Sequence, residues 1–229
     1  MIIKPLATAV DLDYWAIPRI SNSRLTVFRN WLFGIREPER KKVYSLGSAL
    51  HERLLEPHKA TPLPGHVSLE HVDALARRVQ AHPVCNWYTR FSEKETVRLF
   101  TDPTTGLSCK AKLDLVYKNA TVLDLKTTSA RNYTDFVARC REYDYDRQAA
   151  FYLDSLGRHV AGRHPAGRKS ARFLFVGIQK VEPYGLYLFD ATAEPGFVEY
   201  GRKKYKTLLK KWQEVNYDTI EGEPWRVFN

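Results

Sequence analysis

The chain has 229 residues, enough for one domain with a full core and no need of disulfide staples. Hydrophobic residues make up 44% and charged residues 27%, which excludes disorder as the main state, and no apolar run approaches the ~20 residues of a membrane span. The 36 Lys and Arg against 26 Asp and Glu leave a net charge of +10, an excess that attracts polyanions, nucleic acid first among them, although a well-solvated basic surface would carry the same charge.

Cys85, Cys109 and Cys140 form an odd, widely spaced set. They describe neither a disulfide framework nor a zinc site, and they fall short of the four thiolates of an iron–sulfur cluster. Buried free thiols are the expectation. Met1-Ile-Ile-Lys-Pro5 leads on to Asp11 and Asp13 rather than into a signal-peptide core, so a cytoplasmic protein is expected.

In chain order, Ser21 to Ile35 is the first helix, with Leu25, Phe28, Leu32 and Ile35 at helical spacing and Ser21 or Ser23 as its cap. A charged loop, Arg36 to Lys42, leads to a second helix over about Tyr44 to Leu55, striped by Leu46, Leu50 and Leu54 and stopped near Pro57. Leu69 to Ala81 is a third helix, ended by Pro83. The period then changes. Glu95 to Thr101 is extended, Asp102 to Gly106 is a turn-rich loop, and Leu107 to Tyr117 and Thr121 to Thr127 form a hairpin across Lys118-Asn119-Ala120. Helices follow at about Asn132 to Arg141 and Asp146 to Leu156, the second closed by Gly157. The loop Arg158 to Ser170, rich in basic residues and glycine, is the best candidate for a mobile, phosphate-facing segment. Ala171 to Gln179 and Gly185 to Asp190 make another hairpin around Glu182-Pro183. A long helix from about Glu194 to Glu214, with Pro195 in its first turn, follows. This order predicts a single α/β (α+β) domain over residues 1–229, a central mixed sheet of about five strands flanked by helices.

The chemistry concentrates in the first hairpin. A turn centred on Asn119 places Asp114 opposite Asp124 on one side of the sheet, with Cα atoms roughly 4.5–5.5 Å apart. Opposed carboxylates repel and need a cation between them. A divalent ion with oxygen ligands, Mg²⁺ or Mn²⁺, would serve, with Lys126 on the same face as Asp124. Alternatively Lys112, expected opposite Lys126, neutralises both acids in a plain charge network. On the second helix Gly47 lies one turn before His51, and its missing side chain leaves room beside the imidazole. Gln148 and Tyr152 share one face of a later helix.

The ordered set Gly47-Ser-Ala-Leu-His51, Thr105-Gly-Leu-Ser-Cys-Lys-Ala-Lys-Leu-Asp114, Asp124-Leu-Lys126 and Gln148-Ala-Ala-Phe-Tyr152 resembles the PD-(D/E)xK nuclease superfamily, in its branch with RecB-type motifs. With Ile20-Ser-Asn-Ser-Arg-Leu25 and Leu55-Glu-Pro57 added, it is similar to the RecE-like and lambda-exonuclease-like phage recombination nucleases over about residues 20 to 190. Two positions depart from the family: Leu113 stands where Pro is common, and Asp124 where lambda-type enzymes carry Glu.

The resemblance implies a restriction-endonuclease-like core and a processive 5′→3′ exonuclease on double-stranded DNA ends. Such an enzyme leaves 3′ tails for a phage single-strand annealing protein. It implies Mg²⁺, with Mn²⁺ able to substitute, held by Asp114, Asp124, the Leu125 carbonyl and His51. Lys126 would position and help deprotonate the attacking water. Gln148 would hold Lys126 or a phosphate, and Tyr152 would brace its helix. An extra acid would come from Glu93 or Glu95, with Glu95 preferred. Arg19, Ser21, Ser23 and Arg24 are the candidates for a 5′-phosphate pocket, the two serines being equally explained as helix caps. The basic positions of the last helix, Arg202, Lys203, Lys204, Lys206, Lys210 and Lys211, either face the duplex or simply face water. By the same resemblance the protein is phage- or prophage-encoded, acts in the bacterial cytoplasm and forms a ring, trimer favoured over tetramer. The alternatives are a PD-(D/E)xK endonuclease, a Cas4-like nuclease without its iron–sulfur cluster, or a DNA-binding module without activity.

Overall fold

The computed structural model describes residues 14–35, 45–59, 61–157 and 171–220. The loop Arg158 to Ser170 and the charged segment Arg36 to Lys42 lie outside the described residues. Five strands form one sheet in the order β1-β2-β3-β4-β5: β1 (Glu93–Thr101), β2 (Ser108–Tyr117), β3 (Thr121–Thr128), β4 (Arg172–Gln179) and β5 (Leu186–Asp190). The β3–β4 pair is parallel and the other three pairs are antiparallel, so the sheet is mixed, as expected.

Helices cover both faces. α1 (Asn22–Leu32), α5 (Tyr133–Glu142), α6 (Tyr145–Ser155) and α7 (Phe197–Glu214) bury Leu25, Phe28, Phe136, Phe151, Leu209 and Trp212 with Phe173 and Phe175 of the sheet. On the other face α2 (Leu46–Leu55) and α3 (Leu69–Ala81) bury Leu50, Leu54, Leu75 and Val79 against Leu123, Leu125 and Val176. Cap chemistry sets the helix starts. Ser21, Ser45, Ser68 and Asn132 each accept a backbone N–H from the first turn that follows.

Several elements differ from the sequence expectation, α1 among them, which ends at Leu32 rather than Ile35. Pro83 does not merely end α3; it opens a further helix, α4 (Pro83–Phe91), where His82 caps the Cys85 N–H. Pro at the first helical position is the signal that was available there. At the last long helix, Pro195 lies outside the first turn. Gly196, at φ 74°, reverses the chain and α7 begins at Phe197. A short helix, α8 (Tyr217–Ile220), then folds back so that Tyr217 meets Phe28, Trp31 and Trp212.

Close packing and ion pairs fix α6, which carries Gln148. Gly201 of α7 lies so close to it that a Cβ there would sit 1.9 Å from the Asp146 carbonyl oxygen. The N-terminal end of α6 has no side-chain cap. Asp144 and Asp146 instead take Lys204 of α7 at 2.8 and 2.9 Å, and Asp144 also pairs with Arg29 of α1. Arg202 pairs with Asp154 at 2.9 Å. Arg202 and Lys204 of the basic helix are therefore tied to α6.

Candidate active site at the fork of the sheet

The β2–β3 ladder runs from Tyr117↔Thr121 to Leu115↔Leu123 and stops there. The expected register holds up to that point. Asp114 and Asp124 are next in line, but the strands part before reaching them, and the predicted ladder pair is not formed. In its place the Leu125 N–H donates to Asp114 Oδ2 at 2.7 Å, so a side chain takes over from the ladder. The freed edge of β2 farther along is filled by the chain before α1. Ile20 bridges Cys109, and the Lys110 ammonium gathers the carbonyls of Tyr14 and Ile17 at 2.7 and 2.8 Å.

The opposite edge of β2 is irregular at the same level. Glu95 has φ 50°, a left-handed conformation costly for a residue with a Cβ, and no ladder pair forms between Lys94↔Leu115 and Thr96↔Leu113. Side-chain alternation in β2 slips with it. Leu113 packs toward α6, whereas Leu115 packs toward α2 and α3. Asp114 sits at this slip.

The two acids consequently meet the fork from different layers, which corrects the picture of two carboxylates on one face. Asp114 meets His51 of α2, whose Nδ1 lies 3.6 Å from Asp114 Oδ2. Asp124 is buried and meets α6, its Oδ1 accepting from the Gln148 amide at 2.7 Å and its Oδ2 pairing with Lys126 at 2.5 Å. Gln148 thus holds the acid rather than Lys126. The Tyr152 ring, one turn on from Gln148, packs beside Phe173, which braces α6 on the sheet. Lys126 lies over the Tyr145 ring, 5.0 Å from its centroid.

His51 is oriented by a second contact. Its Nε2 lies 2.8 Å from the Leu125 carbonyl oxygen, which can only accept, so Nε2 carries the hydrogen. In a neutral imidazole, Nδ1 then presents a lone pair toward the Asp114 carboxylate. Two acceptors facing each other invite a cation. Glu95 completes the arrangement: one ligand atom from each of His51, Glu95 and Asp114 lies within 4.8 Å of the other two. This donor set fits a divalent metal, with two carboxylates, one imidazole and a carbonyl-held ring. Of the two candidate acids, Glu95 is the one that arrives. Glu93 is largely exposed and pairs with Arg98. Asp124 and the Leu125 carbonyl are engaged with Lys126, Gln148 and His51 and stand beside the three, not among them.

Electrostatics follow the geometry. Burial raises the Asp114 carboxyl to about 6, with Asp124 and Glu95 adding to the rise and His51 and Lys126 opposing it. Burial lowers the Lys126 ammonium, but the Asp124 and Asp114 carboxylates outweigh it and hold it above the usual lysine range. Lys112 does not neutralise the two aspartates. It pairs with Glu95 at 2.5 Å and reaches Glu56 at 3.7 Å.

The space at Gly47 is not beside the imidazole. A Cβ there would lie 3.1 Å from Thr127 Oγ1, so the glycine brings the start of α2 against the end of β3. The proposed 5′-phosphate residues are engaged locally. Ser21 caps α1 and bonds Ser23 at 2.9 Å, and Arg19 donates to the Phe100 carbonyl at 3.4 Å. Arg24 is buried over the Trp212 ring at 5.2 Å. Sequence reasoning missed Tyr145 beneath Lys126. It also missed Gly177, which faces Lys126 across β3–β4 and whose missing side chain admits the Phe136 ring.

The sequence profile of a family described as "PDDEXK-like domain of unknown function (DUF3799)" matches residues 65–224. Among solved structures, a protein of Eubacterium rectale described as a "putative exonuclease" superposes with a TM-score of 0.65 at 16% identity, over 94% of this chain and 87% of its own. The two share the fold: a mixed five-stranded sheet between helices, the restriction-endonuclease-like core. A second structure, of the protein SSO0001, is 10% identical over 83% of this chain and 86% of its own, with a TM-score of 0.37, too weak a likeness to carry an argument. No curated protein is significantly similar in sequence. Among the described residues no helix is long and apolar enough to cross a membrane.

Proposed function

The chain belongs to the PDDEXK-like family, and from that premise we propose that it is a metal-dependent deoxyribonuclease that degrades duplex DNA from its ends, 5′ to 3′ along one strand. The observation that carries the nuclease is the fork, where His51, Glu95 and Asp114 bring ligand atoms within 4.8 Å of one another beside the buried Asp124–Lys126 pair. His51, Glu95 and Asp114 would hold Mg²⁺ or Mn²⁺, which when bound would supply a water of lowered pKa and positive charge for the transition state. The protein's own groups do the rest. Leu125 keeps the hydrogen of His51 on Nε2, so that in the neutral ring Nδ1 is the atom left to face a metal. Asp124 keeps Lys126 protonated, so in place of the expected help in deprotonating the attacking water the ammonium orients that water or offsets charge growing on a non-bridging phosphate oxygen. Gln148 stops Asp124 from rotating away, and Tyr152 braces the helix that carries Gln148.

The finer reading extends this to processive action by a ring of subunits, three preferred, that loads at a duplex end and leaves 3′ tails for an annealing partner. The net charge of +10 suits a DNA substrate and the description of the Eubacterium rectale protein suits an exonuclease, while the ring, its three subunits and the annealing partner rest on the motif resemblance. The test is digestion, in Mg²⁺ and in Mn²⁺, of a linear duplex labelled at either the 5′ or the 3′ end, beside a covalently closed circle. Early release of the 5′ label and an intact circle are expected. A circle cut as fast as the linear duplex would replace the exonuclease with an endonuclease, and no cleavage in either metal would end the nuclease reading.

A further inference from the structure

A cavity of about 90 Å³ adjoins Lys126, and none of the metal-ligand trio lines it. Lys126, Arg139 and Lys180 bring three cations to its wall, Thr128 and Ser129 bring hydroxyls, and no carboxylate lines it. Near a centre built from acids, such a lining selects an anion. Lys180 is placed rigidly at the end of β4, its N–H donating to the Thr128 carbonyl at 3.0 Å and its own carbonyl accepting from His71 Nε2 at 2.6 Å. Among the described residues its ammonium makes no ion pair. Among the described residues the one ion pair of Arg139 is the half-buried helical pair with Asp135 at 3.1 Å, which a phosphate can replace. At the mouth, Tyr143 is 54% exposed and tilts beside Tyr145 with ring centroids 6.0 Å apart, leaving a face of Tyr143 open for stacking.

We infer that this cavity is a nucleotide subsite, taking a phosphate of the attacked strand on Lys180 and Arg139 and stacking its base on Tyr143. Because Lys126 belongs both to the Asp124 pair and to the cavity wall, the phosphate held here adjoins the scissile one. The inference rests on the nuclease reading for the identity of the strand. It also relocates the phosphate-binding site from Arg19, Ser21, Ser23 and Arg24, whose side chains have local work.

The phosphate is either an internal diester or a terminal monoester. The probe is a short fluorescein-labelled single-stranded oligonucleotide, with and without a 5′-phosphate, titrated by anisotropy in EDTA over a range of salt. Lys180→Ala and Arg139→Gln should each weaken binding about tenfold and lower the slope of log K against log salt by about one. Tyr143→Ala should lose about fivefold or more while Tyr143→Phe binds as the unaltered protein does. Equal losses on both probes mean an internal diester; loss confined to the 5′-phosphorylated probe means the strand terminus. Unchanged affinity and salt slope for Lys180→Ala and Arg139→Gln would overturn the subsite. Both variants change surface side chains and can be checked for folding by circular dichroism. Binding in EDTA is independent of cleavage, so an inactive protein that still needs Lys180 to bind would refute the nuclease and spare the subsite.

Discussion

Asp114→Asn is expected to stabilise the metal-free protein while abolishing its activity. Burial first, with Asp124 and Glu95 adding, pushes the Asp114 carboxyl up to about 6 in the folded chain, against about 3.9 for an unfolded aspartate. A raised folded value means that the folded state holds the proton more tightly. The resulting stabilisation is present in full below about pH 4 and is lost as pH rises through about 6. At about pH 8 the buried negative charge therefore costs about 3 kcal/mol relative to the neutral form. Asparagine imitates the protonated acid, and its Oδ1 can keep the 2.7 Å bond from the Leu125 N–H. In EDTA at about pH 8 the variant should melt higher, by up to ~10 °C for a chain of this size, and the two proteins should converge near pH 4. Added Mn²⁺ should reverse the order, because only the unaltered protein gains binding energy from the ion. Calorimetric scans across that pH range, with and without Mn²⁺, test each step. A variant that melts below the unaltered protein at pH 8 in EDTA would refute the reasoning.

Lys126→Ala should lower cleavage by about 10²-fold or more and, by leaving Asp124 buried beside Gln148 alone, cost about 3–5 kcal/mol in a denaturant titration. Equal stability to the unaltered protein would mean that Asp124 is not charged in the fold. His51→Ala should weaken Mn²⁺ binding more than Mg²⁺ binding, since the imidazole nitrogen is the softer ligand, with isothermal titration as the readout. Parallel losses for the two ions would remove His51 from the ligand set. Gly201→Ala puts a Cβ 1.9 Å from the Asp146 carbonyl and should cost about 3 kcal/mol or more, whereas Gly65→Ala, with open space around it, should be close to neutral. A mild effect at Gly201 would show that α6 and α7 can slide apart.

Much of the fold was legible because its signals are local. The serine caps, the leucine stripes and the Asn119 turn give most strand and helix positions to within about three residues, α4 excepted. The register of the central hairpin followed from that turn as far as Leu115↔Leu123. Glu95 too was picked as the extra acid, and it stands at the fork. What was not legible is where the ladder ends. Strand alternation assumes regular pairing, and nothing in the local sequence announces that Glu95 turns left-handed or that β2 changes phase at Asp114. Lys112 was misplaced for the same reason, since its partner depends on which way that slip throws Glu95. The roles of Gly47 and Gly177 depend on neighbours distant in sequence, Thr127 and Phe136, which no periodicity names.

The break in the ladder is also what makes the site possible. A continuous β2–β3 pair would occupy the Leu125 N–H and carbonyl with backbone partners and set two carboxylates against each other at a cost to the sheet. Parting the strands frees both groups. The N–H then anchors Asp114 and the carbonyl orients His51, so one residue of β3 positions two side chains of the α2 layer. Its neighbours Asp124 and Lys126 turn to the other layer, where α6 supplies Gln148 and Tyr145. The candidate metal ligands and the charged lysine are thus held by different helices and come together at the fork. Each layer can be tuned by its own helices: His51 through α2, and Gln148 through the α6–α7 contact at Gly201. A change at Gly201, in a helix that supplies no ligand, should therefore reach Lys126 through Gln148 and Asp124 and leave the His51–Asp114 approach in place.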